Sequence, residues 1–178
     1  MAGHGLVNIA IDGVDKVGKS TIANTIEDKY GLPAISADVF RVVANAPLEI
    51  RIWADIPILG VLRKLEKSCI IDRSIISVLV YNRSNHDIID KLMPFVEWYK
   101  NKTLFVYNTF CDLKTVLERM PGIDGDDLLI QDLEFGFVYA ENNIDPIIVY
   151  AEDSIDDKVE KIMNSFMKMV VEDIKCMC

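Results

Sequence analysis

One eight-residue segment limits what this chain can fold into more than any other part of the sequence. It reads GVDKVGKS at positions 13–20 and matches the pattern G-x-x-x-x-G-K-[ST] at every fixed position. The apolar run Leu6–Ile11 precedes it, and residues with a helical period follow it from Thr21 to Tyr30. The segment therefore predicts a tight loop between a buried strand and a helix.

The residue types in this loop suit the phosphates of a nucleoside triphosphate. Gly13 and Gly18 let the backbone turn so that its N–H groups form a nest for phosphate oxygens. The helix that follows adds the positive end of its dipole. Lys19 is expected to reach the β- and γ-phosphates, and the Ser20 hydroxyl is expected to ligate Mg²⁺. The predicted ATP-binding residues are Gly13, Val14, Asp15, Lys16, Val17, Gly18, Lys19, Ser20, Thr21 and Arg119.

The remaining chain alternates short apolar runs with longer segments of helical period. The runs are Leu6–Ile11, Leu32–Ile35, Cys69–Ile71, Leu104–Tyr107 and Ile147–Tyr150. The helical segments are Thr21–Tyr30, Leu48–Lys67, Asp87–Lys100, Asp112–Met120, Leu128–Glu141 and a last helix with Ser154 as its N-cap. This alternation predicts one α/β domain over residues 1–178, with a five-stranded parallel sheet between two layers of helices. Ligands of such sheets bind at the carboxyl ends of the strands.

Composition excludes several other classes of function. The 178 residues carry a formal charge of −9, so the chain is a poor nonspecific binder of nucleic acid or anionic membrane. No apolar run approaches the roughly 18 residues of a membrane span. The N-terminus lacks the basic start and long apolar core of a signal peptide. We therefore expect a cytoplasmic protein whose partners are small molecules.

A second candidate site follows the apolar run that begins at Cys69. Asp72 and Arg73 come directly after it, at the end of a predicted parallel strand and hence beside the loop. Asp72 can hold the Mg²⁺ shell, and the planar fork of Arg73 suits the phosphate of an acceptor. The alternative interpretation is a structural one, with an ion pair at the strand end or with Asp72 as a helix N-cap.

These two segments together resemble the thymidylate kinase family of nucleoside-monophosphate kinases. Residues 12–21 reproduce the family's loop pattern (D/E)-G-x-D-x-x-G-K-[ST]-T. Residues 72–74 match its D-R-[YHS] motif, and Ser77 and Tyr81 match the serine and aromatic residue that follow it. The resemblance implies a P-loop kinase fold and ATP- and Mg²⁺-dependent phosphoryl transfer to a deoxynucleoside monophosphate, with dTMP as the expected acceptor. A homodimer remains an open possibility.

The resemblance also implies roles for individual residues. Lys19, Lys16 and Arg73 would supply catalytic charge, Asp15 would contact the acceptor's sugar or a metal-bound water, and Ser20 and Asp72 would hold magnesium. The substrate-binding residues would be Asp15, Arg41, Arg51, Arg73, Ser77 and Tyr81. Arg41 is a candidate replacement for an arginine of the family's R-E-P motif, which this chain lacks, and Arg51 lies near the family's base-contacting arginine. Trp53 is either an aromatic residue that stacks on the base or a core tryptophan.

The segment after Arg119 is a candidate lid. Residues 120–128 are acidic and would form a short lid, whose alternative interpretation is an ordinary surface loop. Positions 120–141 contain no Lys or Arg. A cation for the migrating phosphoryl group must then come from elsewhere, and Lys16 in the loop is the predicted source.

Two other functions compete with the nucleoside-monophosphate kinase. A deoxynucleoside kinase also carries an acid-Arg-Ser motif and needs a general base, for which Asp38 is the candidate. Its usual loop lacks the pair formed by Asp15 and Lys16. A nucleotide-binding protein without catalysis is the third hypothesis, and the retention of Lys19, Ser20 and Asp72 argues against it.

Overall fold

The computed structural model describes residues 7–35 and 68–175. In this part of the chain, five strands form one sheet with the order β2-β3-β1-β4-β5, and every neighbouring pair is parallel. The strands are β1 Asn8–Asp12, β2 Ala34–Ile35, β3 Ile70–Asp72, β4 Thr103–Thr109 and β5 Ile147–Tyr150. Each predicted apolar run forms a strand, so the predicted five-stranded parallel sheet is confirmed.

Six helices flank the sheet within the described residues. They are α1 Lys19–Tyr30, α2 Ile75–Tyr81, α3 His86–Lys100, α4 Leu113–Leu117, α5 Gly125–Glu141 and α6 Ile155–Lys175. None of them has the length and apolar character needed to cross a membrane.

The helices form one layer on each face of the sheet. Ile22 and Ile26 of α1 pack with Ile162 of α6 against one face. The other face is covered by α2, α3, α4 and α5, with Tyr99 and Phe135 among the fully buried side chains. Because β1 lies at the centre, with both faces covered, all five of its residues are buried, including the polar Asn8 and Asp12. This three-layer packing confirms the predicted α/β class.

The helix α2 is absent from the sequence-based expectation. Its sequence IISVLVY is almost wholly apolar and β-branched, so it lacks the polar positions that reveal a helical period. Ser74 accepts a hydrogen bond from the backbone N–H of Ile76 and begins the helix as its N-cap. Burial on the sheet, rather than the local sequence pattern, therefore accounts for this helix.

Two helix boundaries differ by three residues from the predicted ones, and the others differ by two residues or fewer. Helix α4 ends at Leu117 rather than at Met120, and α5 begins at Gly125 rather than at Leu128. Asp124 caps α5 by accepting from the N–H of Asp126. Residues 125–128 of the candidate lid are therefore the first turn of a helix. The predicted cap of α6 is confirmed, since Ser154 accepts from the N–H of Asp157.

Some predictions concern residues outside the described part of the chain. These are Asp38, Arg41, Arg51, Trp53 and the helix expected at Leu48–Lys67.

Candidate active site

The loop between β1 and α1 adopts a backbone that its glycines make possible. Gly13 has φ of 138°, and a Cβ atom there would lie 2.0 Å from the carbonyl oxygen of Asn108 on β4. Gly18 has φ of 100° and is the N-cap of α1. Lys16 has φ of 63° without being glycine. The loop therefore turns tightly over the end of β4, and only glycine fits at position 13.

The predicted phosphate-binding lysine lies inside this loop. Lys19 is 5% exposed, and its Nζ donates a hydrogen bond of 2.5 Å to the carbonyl oxygen of Val14. Burial, together with the nearby charge of Arg73, lowers the pKa of Lys19 to about 8. Its ammonium group is thus costly to keep charged without an anion, and a phosphate would favour the charged form.

Ser20 and Asp72 meet at the carboxyl ends of β1 and β3. The Ser20 hydroxyl donates to Oδ2 of Asp72 over 2.5 Å. The other carboxylate oxygen, Oδ1, is buried and has no hydrogen-bond partner among the described residues. A buried carboxylate oxygen is costly to leave unpaired, so this pair of oxygens suits a cation.

The donor set is the kind that Mg²⁺ uses. The described residues contain no group of three or more His, Cys, Asp or Glu side chains that could hold a metal ion. Mg²⁺ is usually bound by one or two protein ligands, with phosphate oxygens and water completing its shell. Ser20 and Asp72 fit that pattern.

Arg73 projects from the turn between β3 and α2 and has φ of 72°. Its Nη1 donates to the Tyr81 hydroxyl over 2.9 Å, and its Nη2 pairs with the Asp15 carboxylate. Of the two structural alternatives for this segment, Asp72 as a helix N-cap is wrong, because Ser74 caps α2, whereas an ion pair at the strand end is present between Arg73 and Asp15. The motif therefore places a guanidinium group beside the loop, with its orientation set from two sides.

Asp12 is a functional residue to which the sequence analysis gave no role. It is fully buried, and its Oδ1 accepts from the N–H and hydroxyl groups of Ser77 and from the N–H of Ser74. Its Oδ2 accepts from the hydroxyls of Ser74 and Tyr139. One carboxylate thus joins β1 to the start of α2 and to α5, and it fixes the turn that carries Arg73.

This network changes the interpretation of Ser77. The resemblance implied that Ser77 contacts the substrate, but its hydroxyl is buried and donates to Asp12 over 2.6 Å. In this arrangement Ser77 holds the site in place. The predicted contact between Ser77 and the substrate stays a prediction.

Asn108 is the second residue that the sequence analysis missed. Its Nδ2 donates to the carbonyl oxygen of Val17 over 3.0 Å, from a fully buried position on β4. The backbone oxygen of Asn108 also lies against Gly13. Asn108 therefore contacts both halves of the loop. A buried asparagine in the apolar run LFVYNT was the available signal, because such an amide must find partners.

The other predicted residues lie at the rim of the loop. Lys16 and Asp15 are exposed, whereas Val14 and Val17 are buried and offer the site only their backbone. Arg119 follows α4, and its Nη1 lies 3.5 Å from the carbonyl oxygen of Lys16. Thr21 is exposed and its carbonyl oxygen accepts from Thr25. The structure thus brings a second cation, Arg119, next to the backbone of Lys16.

Comparisons with solved structures connect this architecture to known proteins. The YorR protein from Bacillus subtilis, described in complex with phosphorylated GDP, superposes with a TM-score of 0.69 at 20% identity, covering 90% of this chain and 96% of that one. Shikimate kinase from Acinetobacter baumannii superposes with a TM-score of 0.63 at 15% identity, covering 94% and 96%. This chain has the fold of P-loop kinases.

A third structural neighbour is a deoxynucleoside kinase. Deoxyadenosine kinase from M. mycoides with bound dCTP superposes on the P-loop kinase fold of this chain with a TM-score of 0.61 at 20% identity, covering 91% of this chain and 100% of that one. No family model and no curated protein sequence matches the chain. At these identities the similarity establishes the fold alone.

Proposed function

We propose that this P-loop kinase fold carries an ATP- and Mg²⁺-dependent phosphotransferase whose acceptor is a deoxynucleoside monophosphate, with dTMP as the expected substrate. The observation that carries the proposal is the position of Arg73. Its guanidinium group lies at the carboxyl end of β3, beside the loop that holds Lys19, and is oriented by Tyr81 and Asp15. A planar fork in that place suits a second phosphate.

The reaction is an in-line displacement between two phosphates. An oxygen of the acceptor phosphate forms a bond to the γ-phosphorus of ATP, and the bond from that phosphorus to the β-phosphate oxygen breaks, which releases ADP. The acceptor oxygen is already an anion, so no general base is needed. Catalysis then consists of positioning and charge neutralisation.

Residues of the loop and of the end of β3 have separate roles in this reaction. Lys19 binds the β- and γ-phosphate oxygens with the loop N–H groups, Arg73 binds the acceptor phosphate, and Lys16 faces the migrating group. Ser20 and Asp72 would hold Mg²⁺, which supplies positive charge to the phosphate oxygens when bound. Asp15 would turn from Arg73 to the acceptor's sugar once a phosphate neutralises that guanidinium.

A coupled ADP-release assay across nucleosides and nucleoside monophosphates tests this proposal. We expect turnover with deoxynucleoside monophosphates, fastest with dTMP. Arg73→Ala should raise KM for the monophosphate by roughly 10–100-fold, the value of a charge-assisted hydrogen bond, and change KM for ATP little. Lys29→Ala, which removes an exposed charge paired with Asp156, is the control. An equal effect of Arg73→Ala on both substrates would contradict the assigned role.

A deoxynucleoside kinase is the second candidate. It is favoured by the structural similarity to deoxyadenosine kinase, whose complexes include dATP and dCTP. Its acceptor would be a sugar hydroxyl, which needs a base to take up the proton. Turnover of thymidine without turnover of dTMP would decide for this candidate. Tight ATP binding without turnover of any acceptor would instead indicate a non-catalytic nucleotide-binding protein.

A further inference from the structure

The turn after β5 is joined to the turn after β4 by one carboxylate. Glu152 follows β5, and its Oε1 accepts hydrogen bonds from the backbone N–H groups of Cys111 over 3.1 Å and of Asp112 over 2.8 Å. Its Oε2 lies 3.2 Å from the same backbone nitrogen of Cys111. Partial burial raises the pKa of Glu152, but the backbone N–H donors outweigh it, so the pKa lies below the ordinary value of a glutamate. The charged carboxylate is therefore held by N–H groups of the other turn.

The turn that Glu152 contacts begins a very short helix. Helix α4 has five residues, of which Val116 is buried. The N–H groups at the start of a helix have no partner within the helix, so they need acceptors from outside it. Asp112 caps α4 by accepting from the N–H of Lys114, and Glu152 accepts from the two N–H groups just before the helix. The placement of α4 therefore depends on contacts made at its start.

Arg119 comes directly after α4 and lies beside the loop between β1 and α1. Its backbone N–H donates to the carbonyl oxygen of Val116, so its position follows that of α4. Its Nη1 lies 3.5 Å from the carbonyl oxygen of Lys16. Lys158 is buried and its Nζ donates to the carbonyl oxygen of Ala151, in the turn after β5, over 3.2 Å. Burial and the charge of Arg119 both lower the pKa of Lys158, so the guanidinium group is close to that turn as well as to the loop.

We propose that Glu152 is a positioning residue for Arg119. By joining the two turns it holds α4 in place, and with α4 it holds the guanidinium group beside the loop where the phosphates of ATP bind. Positions 120–141 contain no Lys or Arg, so Arg119 is the last cation before that segment. Guanidinium contacts with phosphate depend on geometry, so a displaced α4 would weaken the ATP site. The inference rests on the proposed function only in assigning ATP to this loop.

A double-mutant cycle on ATP affinity tests the proposal, measured by isothermal titration calorimetry of ATP in the presence of Mg²⁺. We expect Arg119→Ala to weaken ATP binding by roughly 10–100-fold, as for the loss of a charge-assisted hydrogen bond. Glu152→Ala alone should weaken it by about 3–30-fold. In the Arg119→Ala background, Glu152→Ala should change the affinity by less than about twofold, because a positioning residue has no effect once the residue that it positions is gone.

Glu160→Ala is the matched control, because Glu160 is an exposed glutamate on α6, and it should bind ATP like the wild type. Equal losses of affinity from Glu152→Ala in the two backgrounds would overturn the proposal, because Glu152 would then act independently of Arg119. Wild-type affinity in either single variant would overturn it as well. The titration contains no acceptor, so a lack of turnover with dTMP would contradict the proposed function without changing this result.

Hydrogen exchange followed by NMR tests the contact itself without a ligand. The amides of Cys111 and Asp112 should exchange about 10-fold faster in Glu152→Ala than in the wild type, because each loses its acceptor. Glu152→Gln keeps one acceptor oxygen, so its amide protection and ATP affinity should both fall between those of the wild type and Glu152→Ala. This variant keeps the proposal testable where alanine destabilises the turn. Unchanged exchange at both amides in Glu152→Ala would overturn the proposal.

Discussion

At the scale of single residues, Lys19 shows how the fold sets the chemistry of a side chain. Its ammonium group is buried and hydrogen-bonded to the carbonyl oxygen of Val14, and burial lowers its pKa to about 8. An exposed lysine would stay charged up to about pH 10. The residue that contacts the phosphates is therefore also the residue whose charge is lost at mildly alkaline pH.

This shift predicts a pH dependence of activity. Above pH about 8 the free protein loses the Lys19 proton, so kcat/KM for ATP should fall by roughly tenfold per pH unit. Lys19→Ala should lower turnover by 10²-fold or more at neutral pH and show no such fall, so the activities of the two proteins should approach each other as the pH rises. Steady-state kinetics from neutral to alkaline pH measure both effects. A flat wild-type profile through pH 9 would contradict the burial of a titrating Lys19 in the free protein.

The lowered pKa of Lys19 also affects stability, and stability should change with pH in the opposite direction to activity. Between pH about 8 and the ordinary lysine value of 10.5, the unfolded chain holds a proton at Lys19 that the folded chain has released. The free energy of unfolding should therefore rise with pH through that window, relative to Lys19→Met. Urea denaturation of the two proteins at neutral and alkaline pH checks the sign.

Lys16 carries the second prediction at residue scale. It is exposed on the loop, and its backbone oxygen lies 3.5 Å from Nη1 of Arg119. If Lys16 supplies charge in the transition state, Lys16→Ala should lower kcat by about 10–100-fold with little change in either KM. Arg119→Ala is the companion variant. Kinetics of Lys16→Ala within twofold of the wild type would transfer the role to Arg119.

At the scale of elements, the loop depends on its contact with β4. Gly13 and Gly18 both have positive φ, so alanine at either position costs about 1–2 kcal/mol of backbone strain. Only at Gly13 does the added methyl group meet the Asn108 carbonyl, at 2.0 Å, whereas Gly18 has open space. Gly13→Ala should therefore lower the melting temperature by several degrees more than Gly18→Ala does. Equal melting temperatures in circular dichroism would argue against the contact.

Element boundaries show where local pattern stops being informative. The helical period of Ile22, Ala23 and Ile26 predicts α1 because one face of that helix is exposed to solvent and the other is buried. Helix α2 has no such contrast, since its residues from Ile75 to Leu79 are buried or nearly so. The start of α5 at Gly125 was missed because acidic residues are equally typical of a loop and of a first helical turn.

At the scale of the whole molecule, the site is assembled from distant parts of the chain. Ser20 and Asp72 are 52 residues apart, Asp15 and Arg73 are 58 apart, and Val17 and Asn108 are 91 apart. A ligand that bridges them should stabilise the entire fold. Binding at 100 times the dissociation constant contributes about 2.7 kcal/mol, which for a domain of this size is a rise of about 5–10 °C in melting temperature.

Differential scanning fluorimetry with ATP in the presence and absence of Mg²⁺ tests this expectation. Asp72→Asn should lose the additional shift that Mg²⁺ gives, because the buried Oδ1 that suits the cation becomes part of a neutral amide. Asp156→Asn, an exposed aspartate on α6, is the control. An unchanged Mg²⁺ effect in Asp72→Asn would remove Asp72 from the candidate metal site.

The sequence by itself determined the local features of this protein. Patterns within a few residues indicate the strand–loop–helix unit around Gly13, the five apolar runs, and the carboxylate and guanidinium groups at the end of β3. Such features depend on backbone conformation, side-chain periodicity and the ends of strands, which short segments specify on their own.

Only the tertiary structure decided which of these features meet. The order β3-β1-β4 brings Asp72 to Ser20 and Asn108 beneath Gly13, and it makes Asp12 a buried acceptor for Ser74 and Ser77. The order of the strands depends on how the helices pack on the sheet. The periodicity of the sequence does not indicate that order. For that reason only the tertiary structure shows that the Ser77 hydroxyl is buried and donates to Asp12.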